Sequence, residues 1–169
     1  MDRLWTPWRR AFVESAGGRN GAAEPGCFLC ALPADDPARD REHLVLYRGE
    51  RAYVLLNRYP YNCGHAMVAP YEHTGNFAGL DSATANALTA LTQRAVAVLQ
   101  RAYRPEGFNV GMNLGTPAGA GLPDHLHVHV VPRWTGDTNF MPVVGNTKVL
   151  PETLEQTYDR LVPLFAEVQ

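Results

Sequence analysis

The sequence HLHVHVV, residues 125–131, decides the fold of this chain. Histidine alternates there with leucine or valine, and successive side chains of a β-strand point to opposite faces of a sheet. The alternation therefore predicts a strand that turns three imidazoles, those of His125, His127 and His129, to one face. Its other face is aliphatic, as is typical of a strand inside a sheet, and the alternative is a solvated edge strand.

Outward from this strand, hydrophobic periodicity predicts four more strands and two helices. The strands cover His43–Arg48, Arg51–Asn57, His65–Ala69 and Phe108–Leu114, and Pro132 ends the histidine strand. A long helix follows Asp81 as N-cap and runs to about Tyr103, and a second runs from Pro151 to about Val162, interrupted by Pro163. The element order predicts an α+β domain: an antiparallel sheet of about five strands with helices on one side.

The length of 169 residues suits a single domain spanning residues 1–169. We expect an N-terminal strap and cysteine loop over residues 1–42 and the folded core over residues 43–169. Glycine, alanine and proline predict loops over Ser15–Gly26 and Pro33–Arg41.

Charge and hydropathy narrow the function classes. The chain has 15 basic and 17 acidic side chains, a net charge of −2 that argues against a nucleic-acid backbone binder. No apolar run reaches ~18 residues, so we expect no membrane partner. The start MDRLWTPWRR lacks the apolar core of a signal peptide, so we expect a cytoplasmic protein. Three cysteines in such a protein do not indicate a disulfide framework.

The three aligned imidazoles admit two kinds of chemistry. A metal site is one, although a flat strand opens such ligands too widely for a tetrahedron. Nucleophilic catalysis is the other, because a neutral imidazole is a good nucleophile at pH 7. Flanking imidazoles could then donate to phosphoryl oxygens. The glycine-rich segment 115–121 just before the strand can bring backbone N–H groups close to a phosphate.

The sequence CFLC, residues 27–30, is ambiguous by itself. It is compatible with a redox pair, a metal site or two plain thiols, but no thioredoxin-like unit surrounds it. Zinc would need two further ligands, for which His73 and His125 are candidates. Cys63 is interpreted as a packed thiol and His43 as a surface histidine.

The HLHVHVV segment resembles the signature of the histidine triad (HIT) nucleotide-binding family. Further segments resemble that family: LNRYPYN (56–62), GHAMVAP (64–70) and GFNVGMN (107–113). Two others, LWTPWR (4–9) and PRWTGDTNF (132–140), are similar to a bacterial branch that phosphorolyses diadenosine tetraphosphate. The similarity covers most of the chain and weakens from Ala11 to about Arg41.

The resemblance implies an HIT-like fold and a covalent mechanism. His127 would attack the α-phosphorus and form a nucleotidyl-histidine intermediate. His129 would bind the phosphate or assist the leaving group, His125 would complete the triad, and His65 would lie near the phosphates. The implied activity is phosphoanhydride cleavage in diadenosine polyphosphates, with inorganic phosphate rather than water as acceptor. The alternatives are a hydrolase of dinucleotides or nucleoside phosphoramidates, and a non-catalytic nucleotide- or zinc-binding protein.

The resemblance also implies binding residues, a metal and an assembly. Asn57 would contact the ribose and Asn113 the phosphate. Many relatives carry Gln or Ser where this chain has Gly121, so backbone N–H groups of the loop around Gly119 or the 134–140 loop would substitute. Independently of the resemblance, the aromatic side chains of Trp134 and Phe140 could stack on a base, and the alternative is that they pack the loop over the sheet. Arg58 and Arg133 adjoin motifs where they could meet phosphates. The family further implies a structural zinc on Cys27, Cys30, His73 and His125, magnesium accompanying the nucleotide, and a homodimer.

Overall fold

The computed structural model describes residues 26–138, 140–145, 147 and 149–168. Most of the expected N-terminal strap, residues 1–25, and the LWTPWR segment within it lie outside the described residues. In the described part of the chain, no helix has both the length and the apolar character needed to cross a membrane.

Five strands form one sheet, which confirms the prediction. They are β1 (Val45–Arg48), β2 (Ala52–Leu56), β3 (Ala66–Pro70), β4 (Gly107–Gly111) and β5 (Val128–Arg133). Their order is β1-β2-β3-β5-β4, and every neighbouring pair is antiparallel. The histidine segment therefore leads into β5, which lies inside the sheet.

Helices pack on both faces of this sheet, whereas the sequence predicted one. They are α1 (Phe28–Ala34), α2 (Asp40–His43), α3 (Ser82–Tyr103), α4 (Met141–Val144) and α5 (Leu154–Glu167), with 3₁₀ turns at Pro37–Arg39, Phe77–Gly79 and Thr116–Ala118. The larger core joins α3 and α5 to one face, for example through Leu99 and Leu161 against Val130. A smaller core on the opposite face joins Leu29 of α1 to Tyr53 and Met67. The expected loop over Pro33–Arg41 is thus partly helical.

The helix ends show which local signals were decisive. The α3 helix begins as predicted, since the Asp81 carboxylate accepts the N–H groups of Ala83 and Thr84 at 2.9 and 3.0 Å. The α5 helix begins later than predicted, because its N-cap Thr153 forms a capping box with Gln156 in its first turn. Pro163 lies inside α5 rather than interrupting it.

Two strand ends also differ from the prediction. β4 ends at Gly111, and β5 begins only at Val128 and continues through Pro132 to Arg133. Proline is tolerated there because Pro132 lies beyond Ala66, the first residue of β3, so β3 does not pair with it. On that side the Pro132 carbonyl accepts a hydrogen bond from Asn62 instead. The proline nitrogen faces that same side, so no ladder hydrogen bond is lost.

Candidate active site

A cavity of about 700 Å³ lies on the face of the sheet opposite α3. Its floor follows the strand register, since Leu55 pairs with Met67 and Met67 pairs with His129. Phe28 and Leu32 of α1 form one wall. The cavity thus brings a helix from the N-terminal region against the histidine segment.

The ring of His127 is fixed by the backbone. Its Nδ1 lies 2.8 Å from the carbonyl oxygen of His125, and a carbonyl only accepts hydrogen bonds, so Nδ1 carries the proton. In the neutral ring the lone pair then lies on Nε2, which has no hydrogen-bond partner among the described residues. Burial lowers the pKa of His127, so the ring is neutral at pH 7. His127 lines the cavity and offers it a nucleophilic nitrogen.

The ring of His129 is fixed by a chain of three groups. The backbone N–H of Tyr61 donates to Nδ1 of His65 at 3.1 Å, so the proton of neutral His65 is on Nε2. That Nε2 lies 3.0 Å from Nδ1 of His129 and donates to it. Neutral His129 therefore carries its own proton on Nε2. Because the His127 and His129 ring centroids are 4.9 Å apart, the site sets a lone pair beside an N–H donor.

The predicted nucleotide-binding residues converge on the same cavity, with one exception. Asn57, Asn113, Gly119 and Gly121 all line it. Asn113 Nδ2 donates to the Gly119 carbonyl at 3.2 Å, and Gly119 has a φ of +89°, a conformation that favours glycine. Trp134 does not line this cavity. It contacts Tyr103 edge-on instead, with ring centroids 6.4 Å apart. Its contact with a base stays a prediction.

The partners of His125 differ from those of His127 and His129. Its Nδ1 lies 3.3 Å from Cys27 Sγ and 3.4 Å from Cys30 Sγ, and its Nε2 lies 2.9 Å from the carbonyl oxygen of Pro70. His73 Nδ1 lies 3.3 Å from Cys30 Sγ. The structure therefore brings all four predicted metal ligands together, and His125 does not line the nucleotide-sized cavity.

The four groups fit a tetrahedral zinc site. Their ligand atoms all lie within 4.8 Å of one another. Zinc bound at ~2.3 Å to sulfur and ~2.0 Å to nitrogen separates those atoms by about 3.5 Å, close to the distances observed. The Pro70 carbonyl holds the proton of His125 on Nε2, so Nδ1 presents its lone pair to the cluster, as metal-binding histidines require. Burial and the neighbouring Cys27 raise the pKa of the Cys30 thiol to about 11, and burial lowers the pKa of His125 to about 4.

A hydrogen-bonded network that the sequence did not reveal supports the loop carrying Tyr61. Asn62, next in the chain, donates to the Pro132 carbonyl at 3.0 Å and to the Asp137 carboxylate at 2.7 Å. Asp137 also accepts two hydrogen bonds from the Arg133 guanidinium, at 2.6 and 2.9 Å. These bonds hold the pKa of Asp137 far below its usual range. Only the position of Asp137 in the PRWTGDTNF segment could have signalled this role.

A second cavity of about 620 Å³ adjoins the first and shares Tyr61, Asn113 and His129 with it. Arg133 lines this second cavity. Arg58 lines the first, where its guanidinium donates to the Glu42 carbonyl at 3.0 Å.

The interpretation of His43 as a surface histidine is wrong. Its side chain is 11% exposed, and its Nε2 lies 2.7 Å from the Asp35 carboxylate. It also lines the 700 Å³ cavity. The sequence placed His43 at a strand start, but it is the last residue of α2, which turns its ring inward.

Comparisons with known proteins agree with this arrangement. Residues 38–136 match the model of the HIT domain family. The chain is 44% identical over 160 residues to the AP-4-A phosphorylase of Mycobacterium tuberculosis (strain CDC 1551 / Oshkosh), which covers 93% of this chain and 80% of the relative. It is 32% identical over 129 residues to a 16.1 kDa HIT-like protein of Mycoplasma pneumoniae, covering 76% of this chain and 86% of that one. A zinc-bound histidine triad family protein from Mycobacterium smegmatis superposes with a TM-score of 0.66 at 26% identity, covering 84% of this chain and 94% of that chain.

Proposed function

The chain belongs to the HIT domain family, and on that premise we propose that it is an enzyme that cleaves diadenosine polyphosphates by phosphorolysis. The observation that carries the proposal is the complementary pair in the cavity, a lone pair on Nε2 of His127 beside an N–H of His129. A pure binding protein has no need of a buried nitrogen nucleophile held in one tautomer. The 44% identity to an AP-4-A phosphorylase supports this substrate class and acceptor.

In the first step His127 Nε2 attacks the α-phosphorus of diadenosine tetraphosphate. A P–N bond forms, the bond from the α-phosphorus to the bridging oxygen breaks, and ATP leaves with that bond's electron pair. His129 Nε2–H donates a hydrogen bond to the departing oxygen, where negative charge develops. The substituted imidazole becomes cationic, and its Nδ1–H remains bonded to the His125 carbonyl, which stabilises that charge.

In the second step inorganic phosphate attacks the adenylylated His127. An oxygen of phosphate forms the new P–O bond, the P–N bond breaks and its electron pair returns to Nε2, and ADP is released. Asn113 and the backbone N–H groups near Gly119 and Gly121 would bind the phosphate oxygens in both steps. Asn57 Oδ1 accepts the Tyr59 N–H at 2.8 Å, which directs the amide for a contact with ribose.

The acceptor is tested with diadenosine tetraphosphate and ³²P-labelled inorganic phosphate. We expect ADP and ATP in equal amounts, with the label in the β-phosphate of ADP. Formation of AMP and ATP without label would instead identify a hydrolase. A rapid quench into alkaline denaturant, in which the acid-labile P–N bond survives, should trap an adenylyl group on the wild type but not on His127→Gly. Turnover by His127→Gly would contradict the mechanism. Nucleotide binding without any turnover would leave the non-catalytic alternative.

The Cys27, Cys30, His73 and His125 cluster would hold a structural zinc ion. The zinc-bound relative from M. smegmatis and the geometry of the donor atoms support this choice. Bound zinc would fix α1 to the histidine segment and would supply no step of the reaction. Metal analysis of reduced, purified protein should give about one zinc per chain.

The remaining features of the proposal concern assembly and surroundings. Two copies would form a homodimer, for which β4 is suited because it is an edge strand with Val110 49% exposed. Light scattering would determine the mass in solution. Magnesium would arrive with the polyphosphate, and a cytoplasmic location stays a prediction.

A further inference from the structure

The cavity extends from the catalytic pair towards the opposite edge of the sheet. His127 and His129 lie at the start of β5, while His43 lies two residues before β1, and β2 and β3 lie between β1 and β5. Three strand spacings of about 4.8 Å give a span of roughly 14 Å. That span is long enough for the sugar and base of a nucleotide whose α-phosphorus meets His127, with the base towards His43.

The lining of this cavity suits a flat aromatic ring. Phe28 and Leu32 of α1 and Leu55 of β2 line the same cavity as His43. Apolar side chains bind either purine without distinguishing the groups on its edge, so selection between bases needs a polar contact. His43 is a polar side chain in the lining of that cavity.

The chemistry of His43 is set by Asp35. The Asp35 carboxylate also accepts hydrogen bonds from Arg39 and from the Asp36 N–H, and the hydrogen bond from His43 is the main reason that the pKa of Asp35 lies below its usual range. An ionised carboxylate only accepts hydrogen bonds, so Nε2 of His43 carries the proton. In the neutral ring Nδ1 is then an acceptor. It has no hydrogen-bond partner among the described residues, yet it is not sealed from solvent.

We propose that His43, oriented by Asp35, reads the purine base through Nδ1, which accepts a hydrogen bond from the exocyclic 6-amino group of adenine. Hypoxanthine and guanine carry an oxygen at that position and would place acceptor against acceptor. The pair would thus select adenine nucleotides, a role that rests on the proposed function of the cavity and specifies its substrate class. One neutral hydrogen bond corresponds to an affinity ratio of about five- to tenfold.

The test is binding rather than turnover. Dissociation constants of AMP and IMP, which differ at the 6-position, are measured by calorimetry at pH 8 in phosphate-free buffer. The wild type should bind AMP about five- to tenfold more tightly than IMP. His43→Phe, which keeps a planar ring without the acceptor, should bring the ratio close to one. Asp35→Ala should lower it as well, because the proton is then free to move to Nδ1.

The matched control is Glu42→Ala on the same helix. Glu42 is exposed and its side chain pairs with Arg39, so this variant should keep the wild-type ratio. Equal affinities of the wild type for AMP and IMP would overturn the role of His43 while leaving the proposed function intact. Equal weakening of AMP and IMP by His43→Phe would also overturn it, since a ribose contact or a change of shape gives that result. Failure of the wild type to bind either nucleotide would reject the proposed function itself.

Discussion

His125 and His127 stand two residues apart before β5, and a backbone carbonyl holds each ring by one nitrogen. The Pro70 carbonyl accepts a hydrogen bond from Nε2 of His125, so Nδ1 faces the two cysteines. The His125 carbonyl takes Nδ1 of His127, which leaves Nε2 for the cavity. One end of the histidine segment is therefore suited to a metal and the other to catalysis. The side chains are identical, and the difference lies in which nitrogen the backbone occupies.

The largest predicted effect is that substitutions of His127 and His125 change different properties, turnover in one case and zinc content in the other. His127→Gln removes the proposed nucleophile, so kcat should fall by at least about 10⁴-fold while zinc content stays near one per chain. His125→Gln removes a proposed metal ligand, so zinc content should fall. Turnover assays and metal analysis on both proteins check this. A His127→Gln protein that lost its zinc, or that kept a few per cent of the activity, would contradict the separation.

A substitution of His65 tests whether this side chain fixes the tautomer of His129. His65→Phe keeps an aromatic ring but loses the hydrogen bond to Nδ1 of His129, so His129 no longer has a fixed tautomer. We expect kcat to fall about 10²-fold, a typical contribution of a positioned proton donor. The dissociation constant of AMP should change by less than about twofold.

A merely structural role for His65 would give another result. Nitrogen-15 NMR of the imidazoles should show His129 with its proton on Nε2 in the wild type and a mixture of tautomers in His65→Phe. An unchanged His129 tautomer together with a lower kcat would contradict the positioning role.

The metal end should influence binding through α1. This helix connects the metal cluster with the cavity. Cys27, just before α1, and Cys30 within it belong to the cluster, whereas Phe28 and Leu32 line the cavity and Leu29 is fully buried. Removal of zinc by a chelator should lower the thermal midpoint and weaken AMP binding by about tenfold, because one wall of the cavity loses its anchor. Calorimetry before and after removal measures both effects. One equivalent of zinc should restore them, and unchanged AMP affinity in metal-free protein would contradict the link.

The sequence predicted those features that local chemistry determines. The cap at Asp81, the buried face of α3 and the alternation before β5 depend on neighbours a few residues away, and the structure has them. The four candidate metal ligands could be named because the chemistry of cysteine and histidine is specific and the HIT resemblance implied the set, and the structure brings them together. Their convergence in space nevertheless depends on the sheet, which brings the 27–30 segment to His125.

Features that depend on distant groups could not be predicted. Pro132 was expected to end a strand, but pairing of β3 with β5 stops at Val130, so the missing N–H of Pro132 costs no hydrogen bond between strands. His43 was expected at the surface, but its place at the end of α2 turns its ring inward, where it meets Asp35, eight residues earlier. The tautomers of His125 and His127 likewise follow from the Pro70 and His125 carbonyls, and that of His129 follows from the ring of His65. No local side-chain pattern encodes these contacts.

The smallest predicted effect concerns the loop that supports the catalytic end of the histidine segment, which is held by hydrogen bonds, whereas the other end would be held by the proposed zinc. Asp137→Asn replaces the carboxylate that joins Asn62 to Arg133, so the free energy of unfolding at pH 7 should fall by about 1–2 kcal/mol. Because folding lowers the pKa of Asp137, its contribution is complete above the unfolded-state pKa of about 3.9 and is lost as the pH falls further. The difference between wild type and Asp137→Asn should therefore be constant from pH 7 to about pH 4.5 and shrink below that range.

Urea unfolding at pH 7, 5 and 3 measures this difference. The control is Asp159→Asn, which removes an equally bidentate pair with Arg41, in which both side chains are more than half exposed. An exposed pair is screened by solvent, so this variant should unfold like the wild type at every pH. Equal effects of the two substitutions would show that the Asp137 network is an ordinary surface ion pair. The loop carrying Tyr61, and with it the tautomer of His65, would then depend on other contacts, such as the Asn62–Pro132 hydrogen bond and the packing of Tyr61 on His65.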